Sequence, residues 1–596
     1  MTILDLPRCL DEGDTISRPG RNQPVHPLGS QAKVLLCSVF GPYAQDDEFG
    51  SRRVNPMELW HNQVTRVQGA FSLRMFHRSW GLMLIQANIS ARCTVLDFPT
   101  LERFVQELRD NQYDIVGISG ILPNLVKVRT MCDLIRKHLP RATIVVGGHI
   151  TGQGDLAGRI DADHIVRGDG VQWFRRFLGE DPASRIRHPQ AWSGLNRRTM
   201  GLNLPFTPDT ASAVLIPSVG CPLGCNFCST SAMFGGKGRF VSFYPSAQEL
   251  FAVMCQLEDS LKTHSFFVMD ENFLLQKQRS LELLELMRQH DKAWALYVFS
   301  SANALRMYSM AELVGLGISW VWMGLEGKNS QYGKLKQTDT HELVRRLQDH
   351  GIRVLGSSIV GLEEHTPANI DQAIAHAVSH DTDFHQFMLY TPVPGTPLHA
   401  AHAADGSLLS EDEISLEDTH GQYRFNFRHK NIPPGMEEEL LLRAFEEDFR
   451  VNGPSVLRVV RTTLKGWQRY KNDPDARIRR RFTMEADGMK SYLAGAVWAA
   501  RRFFKSNPAL AARLDGLLRD LYREYGFLTR LSAQVFGRII EYKLRREDRR
   551  LREGLTYEPP TFYERNYQDA QAPVQAPLAQ WVPGLAKASA PAAVGA

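Results

Sequence analysis

Ser218-Val219-Gly220-Cys221-Pro222-Leu223-Gly224-Cys225-Asn226-Phe227-Cys228 is the stretch on which the reading of this chain turns. Three thiols follow one another at i, i+4 and i+7 in a Gly/Pro-rich loop, directly after a strand-like run, Ala213–Ser218. A closed zinc site takes four ligands, commonly as paired Cys-x-x-Cys knuckles or with histidine, and no second pair occurs. A four-iron cluster takes a thiolate on each iron, so three cysteines leave one iron free for an exogenous ligand. Unligated loop thiols are the remaining alternative. The other cysteines, Cys9, Cys37, Cys93, Cys132 and Cys255, are scattered, and the 341 residues after Cys255 have none with which to hold a further cluster. Eight cysteines in 596 residues are too sparse for a disulfide scaffold.

Outward from the loop, both flanks alternate strands with helices. Downstream, Ser265–Met269, Ala295–Ser300, Trp320–Gly324, Arg353–Ile359 and Phe384–Tyr390 join Ala213–Ser218 as six strands, separated by helical patterns such as Pro245–Glu258 and Ser280–His290. Six βα repeats predict an open, partial TIM-like barrel with its chemistry at the strand carboxyl ends. Upstream, Lys33–Phe40, Arg92–Phe98, Asp114–Ser119, Ala142–Val146 and Asp163–Val166 predict a doubly wound parallel sheet. Turn residues follow its strands as Ser119-Gly120, Gly147-Gly148-His149 and Gly168-Asp169-Gly170, where an open α/β sheet binds ligands. Gly152-Gln-Gly154-Asp-Leu-Ala-Gly158 is no dinucleotide fingerprint, because its third glycine comes one residue late and it follows the fourth strand.

The cysteine loop resembles the Cys-x-x-x-Cys-x-aromatic-Cys loop of the radical S-adenosylmethionine (SAM) superfamily, with Phe227 in the aromatic place. Asp270-Glu271-Asn272, Ser300-Ser301-Ala302-Asn303, Gly324-Leu325-Glu326 and Tyr390-Thr-Pro-Val-Pro-Gly-Thr396-Pro close barrel strands where that superfamily contacts SAM. The resemblance implies that Cys221, Cys225 and Cys228 hold a [4Fe-4S] cluster whose free iron binds SAM, and that one electron cleaves SAM to methionine and a 5′-deoxyadenosyl radical. It implies Asp270 and Glu271 as contacts for the SAM amino group, and Ser301 and Glu326 for ribose or amino contacts. Capping of barrel strands is the plainer role for those four.

The upstream sheet resembles the cobalamin-binding domain that precedes the barrel in one large radical SAM class. Val116-Gly-Ile-Ser119-Gly120, Ile144-Val-Val-Gly147-Gly148-His149 and Ile165-Val-Arg-Gly168-Asp-Gly170 carry this likeness, their glycines allowing a flat macrocycle close backbone approach. Asp-x-His-x-x-Gly, which supplies an axial imidazole in cobalamin mutases, is absent, so the lower cobalt face is expected to lack such a histidine. His149 could be a cobalt ligand, but a loop histidine beside two glycines is expected to bond backbone instead. The class implies a C-methyltransferase acting on an unactivated carbon of a lipid, pigment or natural product; the alternative is a radical oxidative cyclase without methyl transfer. It also implies a flavodoxin-like electron donor and oxygen sensitivity.

Expected boundaries are a leader at 1–30, a cobalamin-binding domain at 31–180, a linker at 181–207, a radical SAM domain at 208–434, a helical domain at 435–560 and a disordered tail at 561–596. Leu510, Leu514, Leu517, Leu521, Tyr525, Leu528, Leu531, Val535, Ile539 and Tyr542 recur at steps of three and four, which predicts an amphipathic helix pair started by Asn507-Pro508. The stripe is expected to pack on the barrel. Residues 455–552 hold 24 Lys+Arg against 10 Asp+Glu, or +14, which leaves the rest of the chain at −9 within a total of +5. Aromatic residues do not alternate with these bases, so nucleic acid is not expected, whereas Arg-rich amphipathic helices suit the surface of a membrane. No apolar run approaches the ~18 residues that cross a bilayer, and acidic residues interrupt the first fourteen positions, so a cytoplasmic location is expected.

Overall fold

A computed structural model describes residues 15–17, 24–43, 49, 58–208, 210–325, 339–567 and 585–587. Five strands, Lys33–Ser38, Arg92–Asp97, Ile115–Ser119, Thr143–Gly147 and His164–Val166, form the expected parallel sheet. They read as nearly unbroken apolar runs because helices cover both faces. One face buries Leu35, Val116, Ile118 and Ile144, the other Leu36, Val95, Ile115 and Val145. Cys37, Cys93 and Cys132 belong to this core, where burial pushes their thiols up, so they behave as small hydrophobes and not as ligands.

Both edges of this sheet are closed by segments expected to lack structure. Thr15–Ser17, in the leader, pairs antiparallel with His164–Val166, and Phe562–Arg565, in the expected tail, pairs antiparallel with Arg92–Asp97. The outer strands of a five-stranded sheet present rows of unpaired backbone groups, and these short segments satisfy them. Strands of three and four residues carry too little periodicity to be recognised alone. Beyond residue 567 the expected tail lies outside the described residues apart from Leu585–Lys587, which pairs antiparallel with Leu555–Tyr557.

The second sheet carries six consecutive parallel strands, Ser212–Leu215, Ser265–Val268, Ala295–Phe299, Ile318–Gly324, Arg353–Val360 and Phe384–Leu389, each pairing in parallel with its neighbours in this series. This is the open (βα)6 partial barrel. The helix Ala247–Leu261 begins with a capping box, Ser246 and Glu249, and packs Leu250, Met254 and Leu257 on Phe266 and Trp294. At its far end Glu258 accepts from Trp294 Nε1 (2.9 Å) and Lys292 Nζ (2.6 Å) and pairs with His264 (2.9 Å). Burial raises its pKa, but those three partners win and hold it down at about 2. A depressed carboxylate contributes stability above its unfolded pKa that is lost as pH falls from about 4.5 toward 2. Glu258→Gln is therefore expected to cost about 2 kcal/mol at pH 7 and nothing near pH 2, as read from denaturant midpoints at the two pH values.

The expected linker is a pairing strap. Trp192–Ser193 adds an antiparallel edge strand to the barrel at Ser212–Leu215, and Leu195–Thr199 pairs with both Leu202–Asn203 and Arg74–Phe76. Its residues are Arg- and Asn-rich, so no alternation of apolar and polar residues marked these strands.

The last six helices are Glu437–Asn452, Ser455–Tyr470, Ala476–Glu485, Tyr492–Phe503, Pro508–Tyr525 and Phe527–Arg552. Asn507 caps the fifth as expected, accepting from Leu510 N (3.1 Å) with Pro508 at the first position. The apolar stripe, however, splits. Leu510, Leu514 and Leu521 are buried, but Leu528 is 76% exposed, Val535 62%, Ile539 53% and Tyr542 64%. Gly526, at φ +82°, ends one helix and starts the next with a new phase. The buried face of Phe527–Arg552 is instead Ala533, Gly537, Ile540 and Leu544. Small residues win that face because the backbones lie so close: a Cβ on Gly495 would sit 2.7 Å from Phe536 Cβ, and one on Gly537 2.4 Å from Trp498. Part of the basic segment is spent internally, as in the buried pairs Arg458–Asp448 (2.6 Å) and Arg481–Glu485 (3.4 Å).

Candidate active site

The cysteine loop begins where the first barrel strand ends. Ser218–Val219 pairs antiparallel with Val241–Ser242 and closes residues 220–240 into one loop. Gly220 (φ +87°) and Gly224 (φ +66°) turn it in the left-handed region, and neither has space for a side chain: a Cβ would lie 2.7 Å from Phe234 Cβ and 2.5 Å from Lys237 Cβ. Cys228 N donates to Cys225 O (3.1 Å), Ser231 Oγ donates to Cys221 O (2.8 Å), and Cys228 Sγ accepts from Ser231 N (3.4 Å). The three half-buried thiols are thus gathered in one tight turn. Burial and the neighbouring Cys228 and Cys225 push Cys221 up to about 12. A thiolate at Cys221 is favoured only where a cation compensates it, which fits a metal cluster.

The strand ends around the loop form a graded set. Asp270 is buried and engaged, accepting from Ser218 Oγ (2.7 Å), Arg279 (3.2 Å) and the Asn272 N–H (3.0 Å). Ser301 caps the turn Ala302–Leu305 and accepts from Asn272 Nδ2 (3.2 Å). Glu271 differs. It accepts from the Gly220 backbone N–H, yet its Oε2 is buried without a hydrogen-bond partner. Burial and the adjacent Asp270 push its pKa up to about 7. An orphaned carboxylate oxygen beside the cysteine loop fits an ammonium group, the kind SAM carries. Phe227 packs with the cluster that includes Tyr390 and Leu398, and Leu398 N donates to Asn226 O (3.0 Å). Glu326 lies outside the described residues.

Ser119, Gly120, Gly147, Gly148 and Gly168 sit together at the carboxyl edge of the N-terminal sheet. Gly148 (φ +87°) is a glycine because a Cβ would meet Gly120 O at 2.5 Å. The loops pack on each other here, and Gly120 N donates to Gly147 O (3.1 Å). This edge touches the cysteine loop. His149 Nε2 lies 3.2 Å from Thr230 Oγ1, Arg167 donates to Ala232 O (3.0 Å), and a Cβ on Gly152 would meet Pro394 O at 2.5 Å. His149 thus reaches a hydroxyl on the other domain, not the expected backbone partner. Sequence reasoning missed Arg167 and Gly152 as contact residues. Gly152 was visible as an unexplained glycine, but its reason lies 242 positions away at Pro394.

Inside the barrel lies a cavity of about 1100 Å³, bounded by the strap and the C-terminal helices. Trp60, Phe267, Tyr297, Phe299, Trp320 and Trp322 supply aromatic wall. Phe299 stacks on Trp322 with centroids 5.0 Å apart. Arg197, from the strap, also lines it; its terminal nitrogens donate to the carbonyls of Thr210 and Pro205, while its Nε is buried with no acceptor. No carboxylate among the described residues pairs with Arg197.

Comparison with known proteins matches this architecture. Residues 72–178 match the B12 binding domain family and residues 215–377 the Radical SAM superfamily. An uncharacterized methyltransferase of Pyrococcus horikoshii is 27% identical over 335 residues, covering 50% of this chain and 71% of its own. The bacteriochlorophyllide d C-12(1)-methyltransferase of Chlorobaculum tepidum is 27% identical over 321 residues, covering 51% and 68%. The solved structure of the radical SAM methyltransferase TsrM from Kitasatospora setae, with cobalamin and a [4Fe-4S] cluster bound, superposes with a TM-score of 0.47 at 15% identity over 76% of this chain and 98% of its own. The barrel and its cysteine loop define a radical SAM enzyme. A B12-binding domain ahead of the barrel is the order found in the cobalamin-binding branch of that superfamily, and the cofactors of these two domains are a [4Fe-4S] cluster, SAM and cobalamin.

Proposed function

We propose that this protein is a C-methyltransferase that adds a methyl group to an unactivated carbon of a large, mostly apolar molecule. The observation that carries the proposal is the contact between the two carboxyl edges: His149–Thr230, Arg167–Ala232 and Gly152–Pro394 hold the B12-binding loops against the cysteine loop. Methyl transfer to a carbon that is not nucleophilic needs both chemistries at one place. Bound SAM supplies hydrogen abstraction from carbon, and bound cobalamin supplies the methyl group. The methyltransferase names of the two relatives support this reading over oxidative cyclisation.

The chain's own residues then have separable tasks. Cys221, Cys225 and Cys228 hold three irons and leave the fourth open. Glu271 holds the SAM amino group, Asp270 and Ser301 order the strand ends around it, and Phe227 walls the site. Ser119, Gly120, Gly147, Gly148 and Gly168 form the edge that receives the corrin. The aromatic cavity holds substrate and excludes water, and Arg197 takes an anionic oxygen on it.

The test is anaerobic incubation of reconstituted protein with SAM, a reductant and candidate extracts. Substrate gaining one methylene unit, with S-adenosylhomocysteine and 5′-deoxyadenosine formed together, supports the proposal; net loss of hydrogen or gain of oxygen from water rejects it. Two variants probe its parts. Gly152→Ala forces the two edges apart at Pro394 and is expected to lower methylation about tenfold while SAM cleavage changes less than about twofold, as measured by mass spectrometry of both products. Arg197→Met is expected to raise KM about tenfold with a smaller change in kcat, the signature of lost uniform binding.

A further inference from the structure

We propose that the helix Phe527–Arg552 docks this protein on the surface of an anionic phospholipid bilayer, lying in the plane of the headgroups. Among the described residues, fourteen large hydrophobic side chains are exposed, and seven of them are Phe527, Leu528, Leu531, Val535, Phe536, Ile539 and Tyr542 of this one helix. At 3.6 residues per turn, Leu528, Leu531, Val535, Ile539 and Tyr542 fall within a sector of about 80°. That is a continuous apolar stripe along four turns, far from the scattered single hydrophobes that any surface carries.

The charge around the stripe says what covers it. Arg538 and Arg545 border one side and Lys543 the other, while Arg546 and Arg549 continue its line toward the carboxyl end. Arg530, Arg538, Lys543, Arg546 and Arg549 are exposed, and none has a carboxylate partner among the described residues. The acidic residues of the helix are already committed: Glu541 to Arg502 (2.7 Å) and Arg545 (2.9 Å), Asp548 to Arg552 (2.7 Å), and Glu547, buried, to Arg198 (2.6 Å). A second copy laid on this stripe would bring unpaired arginines against arginines, whereas lipid phosphates complement them and the apolar side chains enter the acyl boundary.

The inner face of the helix leaves the stripe no way to turn inward. Ala533 and Gly537 sit in the C-terminal core against Tyr492–Phe503, and a Cβ on Gly201 of the strap would meet Lys543 O at 2.5 Å. Nor does the helix cross the bilayer, since no helix among the described residues is long and apolar enough to do so. In-plane docking is the geometry that satisfies both faces. It stands apart from the methyl-transfer proposal, because it rests on residues outside the cavity and the cysteine loop.

The experiment is co-sedimentation of the full-length, cluster-reconstituted protein with vesicles of phosphatidylcholine alone and of phosphatidylcholine with about one-third phosphatidylglycerol. The protein is expected to bind the anionic vesicles at least about tenfold more tightly, with the preference fading in high salt. Val535→Glu with Ile539→Glu is expected to lower binding about a hundredfold, and Arg538→Gln or Arg546→Gln about fivefold each, with far-UV circular dichroism and iron content unchanged because all four side chains are exposed. No sedimentation with anionic vesicles overturns the proposal, as does sedimentation that the double glutamate variant leaves intact. A dimer in light scattering that the same variant converts to monomer overturns it in favour of a second copy.

Discussion

Cys225→Ala is expected to lower 5′-deoxyadenosine formation by roughly a thousandfold or more, with four-iron absorbance lost on reconstitution. Cys225 is the middle ligand of a turn whose geometry is otherwise backbone-determined: Gly220 and Gly224 set its path and Ser231 ties Cys221 and Cys228 to the same short helix. Removing the thiol therefore leaves the loop in place and takes away one of only three iron ligands. Cys37, Cys93 and Cys132 do not substitute, since they are buried in the other domain's core. Cobalamin binding is expected to survive unchanged, because the receiving edge belongs to a sheet with its own core. Visible absorbance after gel filtration separates the two cofactors. Retained SAM cleavage in this variant would remove the cluster assignment altogether.

Glu271→Gln has the second-largest expected effect and carries two signs. Loss of a charge-assisted hydrogen bond to the SAM amino group is expected to weaken SAM binding about 10- to 100-fold, measured by equilibrium binding at pH 8. The same change should stabilise the protein without SAM. The folded pKa of Glu271, about 7, lies above its ordinary value of 4.5, because burial and Asp270 oppose its ionisation. Between those values the unfolded chain binds fewer protons than the folded one, so stability falls as pH rises from about 4.5 through about 7. At pH 8 the strain is fully present, on the order of 3 kcal/mol, and glutamine removes it. A variant that is more stable and yet binds SAM poorly has lost a ligand contact and not its fold. Equal losses of both would assign Glu271 a structural role.

The pairing of a lipid-facing helix with an aromatic cavity gives the two proposals a common consequence. Arg197 reaches the cavity from the strap at Leu195–Thr199, and Arg198 beside it grips Glu547 of the exposed helix. Neighbouring residues of one strand thus face the chamber and the inner side of the docking helix. An apolar substrate taken from a bilayer would meet this protein on the side where its chamber is bounded by the C-terminal helices.

Much of the site was legible because it is local. Ligands at i, i+4 and i+7 need only a short loop, and the glycines that bend it are adjacent in sequence, so Cys221, Cys225 and Cys228 declare themselves without the fold. The order of strands and helices likewise follows from hydrophobic period, which predicts the doubly wound sheet and the six-stranded open barrel strand by strand. Glu271 and Asp270 were indistinguishable at that level. Only packing makes them differ, since Ser218 and Arg279 come from separate segments to occupy Asp270 and leave its neighbour's Oε2 bare.

What the chain determines by itself is therefore the chemistry it can carry: three thiols in one turn, and two α/β units in order. Tertiary structure alone decided the rest. Edge strands at Thr15–Ser17 and Phe562–Arg565 exist because distant backbones needed partners, and Arg197 enters the chamber where a strap crosses a barrel. The outward half of the leucine stripe has the same origin. A spacing of three and four records which residues share a face, but which way that face points is settled by the close approach of Gly495 and Gly537, a contact between helices that no single helix encodes.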